Sequence, residues 1–283
     1  MARPLRIEYP GAWYHVLNRG RRKEKIYFDE ADYRFFLRQL GECARLFDVQ
    51  VHAYSLMPNH YHLLVKTPQA NLSRIMHYLD GTYTQMFNKR HNVDGSLFRA
   101  RYKSILVEEE SYLLELVRYI HRNPFKAYLE EKPGEHCWTS HRVYMYKKER
   151  PVWLKTDVVL LKFATREKEA CRLLDAFVNK ESPGDLEKRL NGSNWPAILG
   201  GDRFKEQVKD MLLGRKIEPS AVPQYKDSIK TQRVEDFVGQ AVRDGRLLKE
   251  CLERRGCKRH ANMRRALIFV LRECLHASHR EIA

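Results

Sequence analysis

The apolar pattern of the first 107 residues changes period several times, and the order of these changes restricts the possible folds. Short apolar runs predict four strands, whereas apolar residues spaced three and four apart predict one helix after Asp29 and another after Asn71. The predicted strands cover residues 12–18, 49–56, 61–66 and 102–107. Strand, helix, strand, strand, helix, strand is the order of the split βαβ, ferredoxin-like plan. We therefore predict an α+β fold in which an antiparallel sheet carries helices on one side.

A third helix follows this plan and helps to set the domain boundaries. It is predicted to begin at Glu110 or Ser111 and to end near Asn123, because Pro124 disfavours helical geometry in the residue before it. We place the first domain at residues 1–150. Residues 151–228 are interpreted as a helical linker region, with a helix over 160–178, and residues 229–283 as a basic helical tail.

The charge of the chain favours a polyanionic partner. The sequence has 52 basic and 36 acidic residues, with a formal net charge of +16. Such an excess suggests nucleic acid or an anionic membrane surface. No apolar run reaches the length of a membrane span, and no apolar signal segment follows the N-terminal arginines, so we expect a DNA partner and a cytoplasmic location. The six cysteines form no Cys-x-x-Cys pair and are expected to be reduced thiols.

Two histidines one residue apart, His60 and His62, lie at the start of a predicted strand. Side chains alternate along a strand, so both imidazoles project from one face and can grip one metal ion. Near the end of the third helix, Tyr119 and Asn123 are four residues apart and share a face. Each residue also has a purely structural interpretation, as a core histidine, a half-buried aromatic residue or a helix C-cap. Together they form a coherent set of two imidazoles, an amide oxygen and a phenol.

Five stretches of the sequence, in this order, carry a resemblance to a known family: residues 14–20, 57–64, 97–104, 119–124 and 138–140. The chain resembles the HUH endonucleases, named for two histidines that flank a hydrophobic residue, here Tyr61. More narrowly, it resembles the single-tyrosine transposases, in the branch of REP-associated tyrosine transposases. The resemblance covers about residues 1–150, and Ala100 stands where the family often has glycine.

The resemblance implies a chemistry and a role for each residue of the set. His60, His62 and Asn123 would bind a divalent metal ion, Mg²⁺ or Mn²⁺, and Tyr119 would be the nucleophile. The enzyme would nick and rejoin single-stranded or hairpin DNA through a 5′-phosphotyrosine. It would act as a monomer or a homodimer in a bacterial cytoplasm, associated with the nucleoid.

Basic residues near these motifs are candidates for phosphate contacts. Individually, each also fits a solvated surface charge. The predicted DNA contacts are Arg19, Arg21, Arg22, Arg99, Arg101, Lys103 and Arg122. The aromatic residues Trp13, Phe98 and Tyr102 could stack on unpaired bases or belong to the core.

The C-terminal tail gives only a weak indication of its function. Residues 230–283 are weakly similar to the helix-turn-helix domain of bacterial replication initiators, with the recognition helix expected to be missing. A plain basic helical bundle fits equally well.

Two other functions of the protein stay open. A non-catalytic hairpin-DNA-binding protein derived from a transposase is the main alternative function. A hydrolytic phosphoesterase with zinc on His60 and His62 is a third, weakened by the lack of a convincing Asp or Glu ligand near them.

Overall fold

One mixed sheet organises the fold. The computed structural model describes residues 6–181, 184–191 and 196–214. The strands are β1 Ala12–Arg19, β2 Gln50–Met57, β3 His60–Thr67, β4 Lys103–Val107 and β5 Ile198–Leu199. Their order in the sheet is β2-β3-β1-β4-β5, antiparallel throughout except for β5, which runs parallel to β4. The order of the first four strands is that of the ferredoxin-like plan, so the predicted fold class is confirmed.

Helices complete the described part of the chain. Asp29 caps the first of them, because its Oδ1 accepts hydrogen bonds from the main-chain nitrogens of Ala31 and Asp32, at 3.0 and 3.2 Å. The helices are α1 Glu30–Phe47, α2 Leu72–His91, α3 Glu109–Lys126, α4 Ser140–Met145, α5 Asp157–Leu160, α6 Glu167–Asn179, α7 Gly184–Asn191 and α8 Asp202–Gly214. The helix predicted over 160–178 is thus interrupted, because α5 ends at Leu160 and α6 begins only at Glu167.

Successive side chains of β3 point to opposite faces of the sheet. Tyr61 faces α1 and α2, with its ring 4.9 Å from the ring of Phe36 and its hydroxyl donating to Asp80 at 2.6 Å. The next residue, His62, points to the opposite face, where its ring lies 5.8 Å from that of Tyr119 on α3. Helices α1 and α2 therefore share one face, as predicted, and α3 lies on the other.

Helix α3 continues past the expected end. It runs to Lys126 with Pro124 inside it, so the predicted end near Asn123 is wrong by three residues. Proline removes one main-chain donor, but the last turn keeps others: the nitrogen of Ala127 donates to the carbonyl of Asn123 at 3.1 Å, and that of Leu129 to Pro124 at 3.0 Å. A proline in the final turn therefore costs the helix little.

Residues Ile7–Asp210 form one compact unit. A second unit, Met1–Arg6 with Met211–Ala283, lies almost wholly outside the described residues. The proposed tail at 229–283 falls there too, and the predicted domain boundaries stay a prediction. Within the described ranges, no helix combines the length and apolar character of a membrane span.

Candidate active site

The two histidines of β3 lie side by side on the face of the sheet that α3 covers. Their ring centroids are 5.0 Å apart and their planes are at 82°. Two imidazoles bound to one ion at about 2.1 Å and at right angles have centroids roughly 5 Å apart, so this spacing suits a shared ion. Burial lowers the pKa of His60 to about 4, with Arg19 adding to the effect, and lowers that of His62 well below its ordinary value. Both rings are therefore neutral at pH 7, the form that binds metal.

Each of these rings has its Nδ1 atom engaged by a neighbour. The Nδ1 of His60 is 2.6 Å from Oδ1 of Asn59, and the Nδ1 of His62 is 2.9 Å from Nε2 of His15 on β1. The register of β1 and β3 explains the second contact: His15 is opposite Leu64, two residues from His62 and therefore on the same face. These contacts leave the Nε2 atoms of His60 and His62 as the available metal donors.

Tyr119 comes from α3 and meets both buried histidines. Its ring is edge-on to His62 at 5.8 Å and 87°, and to His15 at 5.9 Å and 78°. The side chain is only 3% exposed, like that of His62. Burial raises the pKa of the Tyr119 phenol, and a hydrogen bond with the Asn123 side chain partly offsets this. The phenol is therefore neutral at pH 7 and needs activation before it can attack.

Asn123 lies one helical turn after Tyr119 on α3, as the spacing predicted. Its Nδ2 donates to the main-chain carbonyl of Tyr119 at 3.4 Å, which leaves the amide oxygen as an acceptor. No three His, Cys, Asp or Glu side chains come together as a possible metal site in the part of the chain that the structure describes. A metal at this position would thus depend on the amide oxygen of Asn123 together with two imidazoles, a mixed oxygen and nitrogen donor set that can hold a divalent ion.

Exposed basic residues surround the end of the sheet next to His60. Arg19 pairs with His60 across β1 and β3, and the turn Arg21–Lys23 follows it. Main-chain hydrogen bonds of 2.9 Å fix this turn, from Gly20 to Asn59, from Arg21 to Leu97 and from Arg99 to Arg19. The exposed members of the predicted set are Arg19, Arg21, Arg22, Arg99, Arg101 and Lys103. Together with Lys23, we call these residues the basic rim.

Gly20 allows the tight turn that carries part of this rim. A Cβ atom at this position would lie 2.2 Å from the carbonyl oxygen of Glu24. A side chain here would therefore force the main chain apart and displace Arg21 and Arg22.

Arg122 does not lie with the basic rim. It is 6% exposed, and its guanidinium donates to the carbonyl of Val178, near the end of α6, at 2.8 Å. We therefore leave it out of the proposed DNA surface.

The three aromatic candidates for base stacking are also buried, and they are Trp13, Phe98 and Tyr102. Of the two interpretations offered by the sequence, their positions favour the core.

Sequence reasoning missed two residues at this site. His15 touches His62, but that contact depends on the register of two strands distant in sequence. Lys126 is seven residues after Tyr119, a helical spacing that could have indicated it. Its Nζ is 5.8 Å from the centre of the Tyr119 ring and forms an ion pair with Glu187 of α7. Burial, together with nearby Arg122 and Arg118, lowers the pKa of Lys126 to about 8.

Comparison with known proteins gives a family match and similar solved structures. Residues 8–123 match the family model of IS200-like transposases. No curated protein matches the chain. Among solved structures, a REP-associated tyrosine transposase bound to a REP hairpin is 16% identical, with a TM-score of 0.44 over 56% of this chain and 93% of that one. A candidate transposase from Deinococcus radiodurans R1 is 18% identical, with a TM-score of 0.31 over 46% and 97% of the two chains.

The family match includes every residue of the candidate set, from His15 to Asn123. The predicted resemblance to single-tyrosine transposases is thereby confirmed for residues 8–123, which match the family model of IS200-like transposases.

Proposed function

We propose that this protein is a metal-dependent transposase that nicks and rejoins single-stranded DNA, hairpin DNA in particular, through a 5′-phosphotyrosine. One observation carries the proposal: the Tyr119 ring packs against the His62 ring at 5.8 Å, and Asn123 lies one turn further along the same helix. A phenol, two neutral imidazoles and an amide on one face supply a nucleophile and three metal ligands. The family match of residues 8–123 supports a role in DNA transposition.

The chemistry assigned to Tyr119 is an in-line displacement at phosphorus. Its phenolic oxygen forms a bond to the phosphorus atom as the bond to the 3′ oxygen of the preceding nucleotide breaks. The phenol loses its proton, and the departing 3′ oxygen gains one. The phosphotyrosine is a diester like the bond it replaces, so attack by a 3′ hydroxyl can restore a DNA strand without another energy source.

His60, His62 and Asn123 would hold the divalent ion, Mg²⁺ or Mn²⁺. When bound, such an ion polarises a phosphoryl oxygen and stabilises the charge that develops during displacement. The protein residues bind the ion and orient the nucleophile: the neutral imidazoles present Nε2, and α3 holds the phenol on the same face. Tyr119 meets the histidines of its own chain, and this contact supports a site complete within a monomer, with a homodimer as the alternative.

The basic rim would hold the DNA backbone. Its side chains are exposed and border the end of β3 where His60 lies, so a strand bound there would pass the histidine pair. The REP-associated tyrosine transposase was solved bound to a REP hairpin. We propose the same class of substrate here, met in the bacterial cytoplasm on nucleoid DNA.

A covalent-adduct assay tests this function. The full-length protein is incubated with 3′-end-labelled hairpin DNA and Mn²⁺ and then run on a denaturing gel. We expect a protein–DNA adduct with the wild type, none with Tyr119→Phe, and an undiminished one with Tyr128→Phe. Tyr128 is a suitable control because it is 95% exposed and follows the end of α3.

The other outcomes identify the alternative functions. Binding of the hairpin without cleavage, under conditions that include Mn²⁺, would indicate a non-catalytic DNA-binding protein. Cleavage that survives Tyr119→Phe would indicate hydrolysis by an activated water, as in a phosphoesterase. Either result would overturn the proposed strand transfer.

A further inference from the structure

We infer that Asn59 and His15 are positioning residues that place the proton of each metal-binding histidine on Nδ1, so that both Nε2 atoms face the ion. The inference rests on the proposed function and adds two residues to it. Neither residue touches the reacting atoms, and each acts only through the ring it contacts.

The hydrogen bonds of Asn59 determine the direction of its contact with His60. Its Nδ2 donates to the main-chain carbonyl of Lys23 at 3.2 Å, which turns Oδ1 towards His60. Oδ1 can only accept, so the Nδ1 of His60, at 2.6 Å, must be the donor. A neutral imidazole carries one proton, and Nε2 of His60 is left with its lone pair. The same side chain ties the basic turn Arg21–Lys23 to the metal site.

His15 plays the matching part for His62. Its Nε2 is 2.9 Å from the Nδ1 of His62, and the two rings are stacked with centroids 5.1 Å apart. This contact allows either ring to donate, and the proposal assigns the direction: Nδ1 of His62 carries the proton and Nε2 of His15 accepts it, which leaves Nε2 of His62 for the ion. Both side chains are buried, at 0% and 3% exposure, so water cannot readily replace either partner. Partners of this kind fix the orientation and the tautomer of ligating histidines.

The first test observes the tautomers in metal-free protein. Full-length wild type and variants are labelled with ¹⁵N at histidine, and long-range ¹H–¹⁵N spectra are recorded in EDTA. We expect His60 and His62 to show a protonated Nδ1 in the wild type. Asn59→Leu should abolish that preference for His60, and His15→Leu should abolish it for His62. His52→Leu, which removes another buried histidine, should leave both tautomers unchanged.

The second test measures Mn²⁺ binding by the loss of the free-ion EPR signal. We expect Asn59→Leu and His15→Leu each to weaken binding roughly 10- to 100-fold. Asn59→Asp and His15→Gln, which keep an acceptor oxygen, should stay within about threefold of wild type. Asn59 is on the surface side of the site, so its variants remain informative even if His15→Leu fails to fold.

The outcomes separate this inference from the proposed function. Wild-type tautomers and Mn²⁺ affinity in Asn59→Leu would overturn the positioning role, even if the wild type cleaves DNA. Conversely, shifted tautomers and weakened Mn²⁺ binding in a protein that forms no adduct would support the positioning role and refute the strand transfer.

Discussion

The phenol ring of Tyr119 stands edge-on to the imidazole of His62, with centroids 5.8 Å apart and planes at 87°. One ring comes from the third helix and the other from the second hairpin strand, and both side chains are 3% exposed. The proposed nucleophile is therefore held in a largely dry environment. This burial determines its protonation, and hence how its reactivity should depend on pH.

We expect the cleavage rate to rise steadily with pH. Burial raises the pKa of the Tyr119 phenol above its ordinary value, so the phenolate is a minor species throughout the range from pH 6.5 to 8.5. If deprotonation precedes attack, each pH unit multiplies the phenolate about tenfold. Single-turnover adduct formation at saturating Mg²⁺ measures this slope.

Asn123→Leu removes two contributions at once, the proposed metal ligand and the hydrogen bond that lowers the pKa of Tyr119. Both losses should slow the reaction at every pH without flattening the rise. A plateau of the wild-type rate below pH 8 would contradict a phenol with a raised pKa.

Acid should destabilise the fold steeply. Burial lowers the pKa of five histidines, to about 3 for His15, to about 4 for His52 and His60, and well below the ordinary value for His62 and His121. Unfolding releases these imidazoles to their ordinary pKa near 6.5, where they take up protons. Stability is therefore fully present above pH 6.5 and is lost as the pH falls towards 4, by about 1.4 kcal/mol per imidazole and pH unit.

The three groups with pKa values of about 3 to 4, His15, His52 and His60, alone predict a loss on the order of 4 kcal/mol between pH 6 and 5, measured by urea unfolding in EDTA. His52→Leu should reduce the slope by one proton, since His52 packs against Trp13, with ring centroids 4.3 Å apart, and is outside the proposed metal set. An unchanged slope in that variant would show that His52 does not stay neutral in the folded protein.

Local patterns predicted most of the site because its members obey the periods of strands and helices. Alternation placed His60 and His62 on one face of a strand, and the helical period placed Tyr119 and Asn123 together. What local patterns could not supply was the pairing of distant elements. The contact of His15 with His62 needs the register of two strands, and only the packing of the third helix on that face brings the phenol to the imidazoles.

Packing overrides local rules at two positions. Pro124 does not end the third helix, because later main-chain donors complete its last turn. Arg122 follows a basic, motif-rich stretch and was expected on the DNA surface, but its face of the helix is covered by residues beyond 150. No local sequence pattern shows which face of a helix a later segment will cover.

Arg122→Met should weaken the fold and leave DNA binding unchanged. The guanidinium donates to the carbonyl of Val178 at 2.8 Å in a buried position, so its loss strands that acceptor at a cost of about 1–3 kcal/mol. The loss of stability is measured as a lower urea midpoint of unfolding at constant m-value. Hairpin affinity in the absence of metal, measured by fluorescence anisotropy below the unfolding transition, should match wild type. A selective loss of affinity with unchanged stability would return Arg122 to the DNA surface.

The basic rim should account for a measurable part of the salt dependence of DNA binding. Each phosphate neutralised on a single strand contributes about −0.7 to the slope of log affinity against log salt. If Arg21 and Arg22, both exposed, each contact one phosphate, Arg21→Ala with Arg22→Ala should make the slope shallower by about 1.4. Anisotropy titrations of an unpaired oligonucleotide between about 50 and 200 mM salt resolve such a change. The matched control is Arg34→Ala with Arg45→Ala, which removes two exposed arginines from the first helix that pair with Glu30 and Glu42. An equal change in this control would mean that overall charge, and not the rim beside His60, attracts the strand.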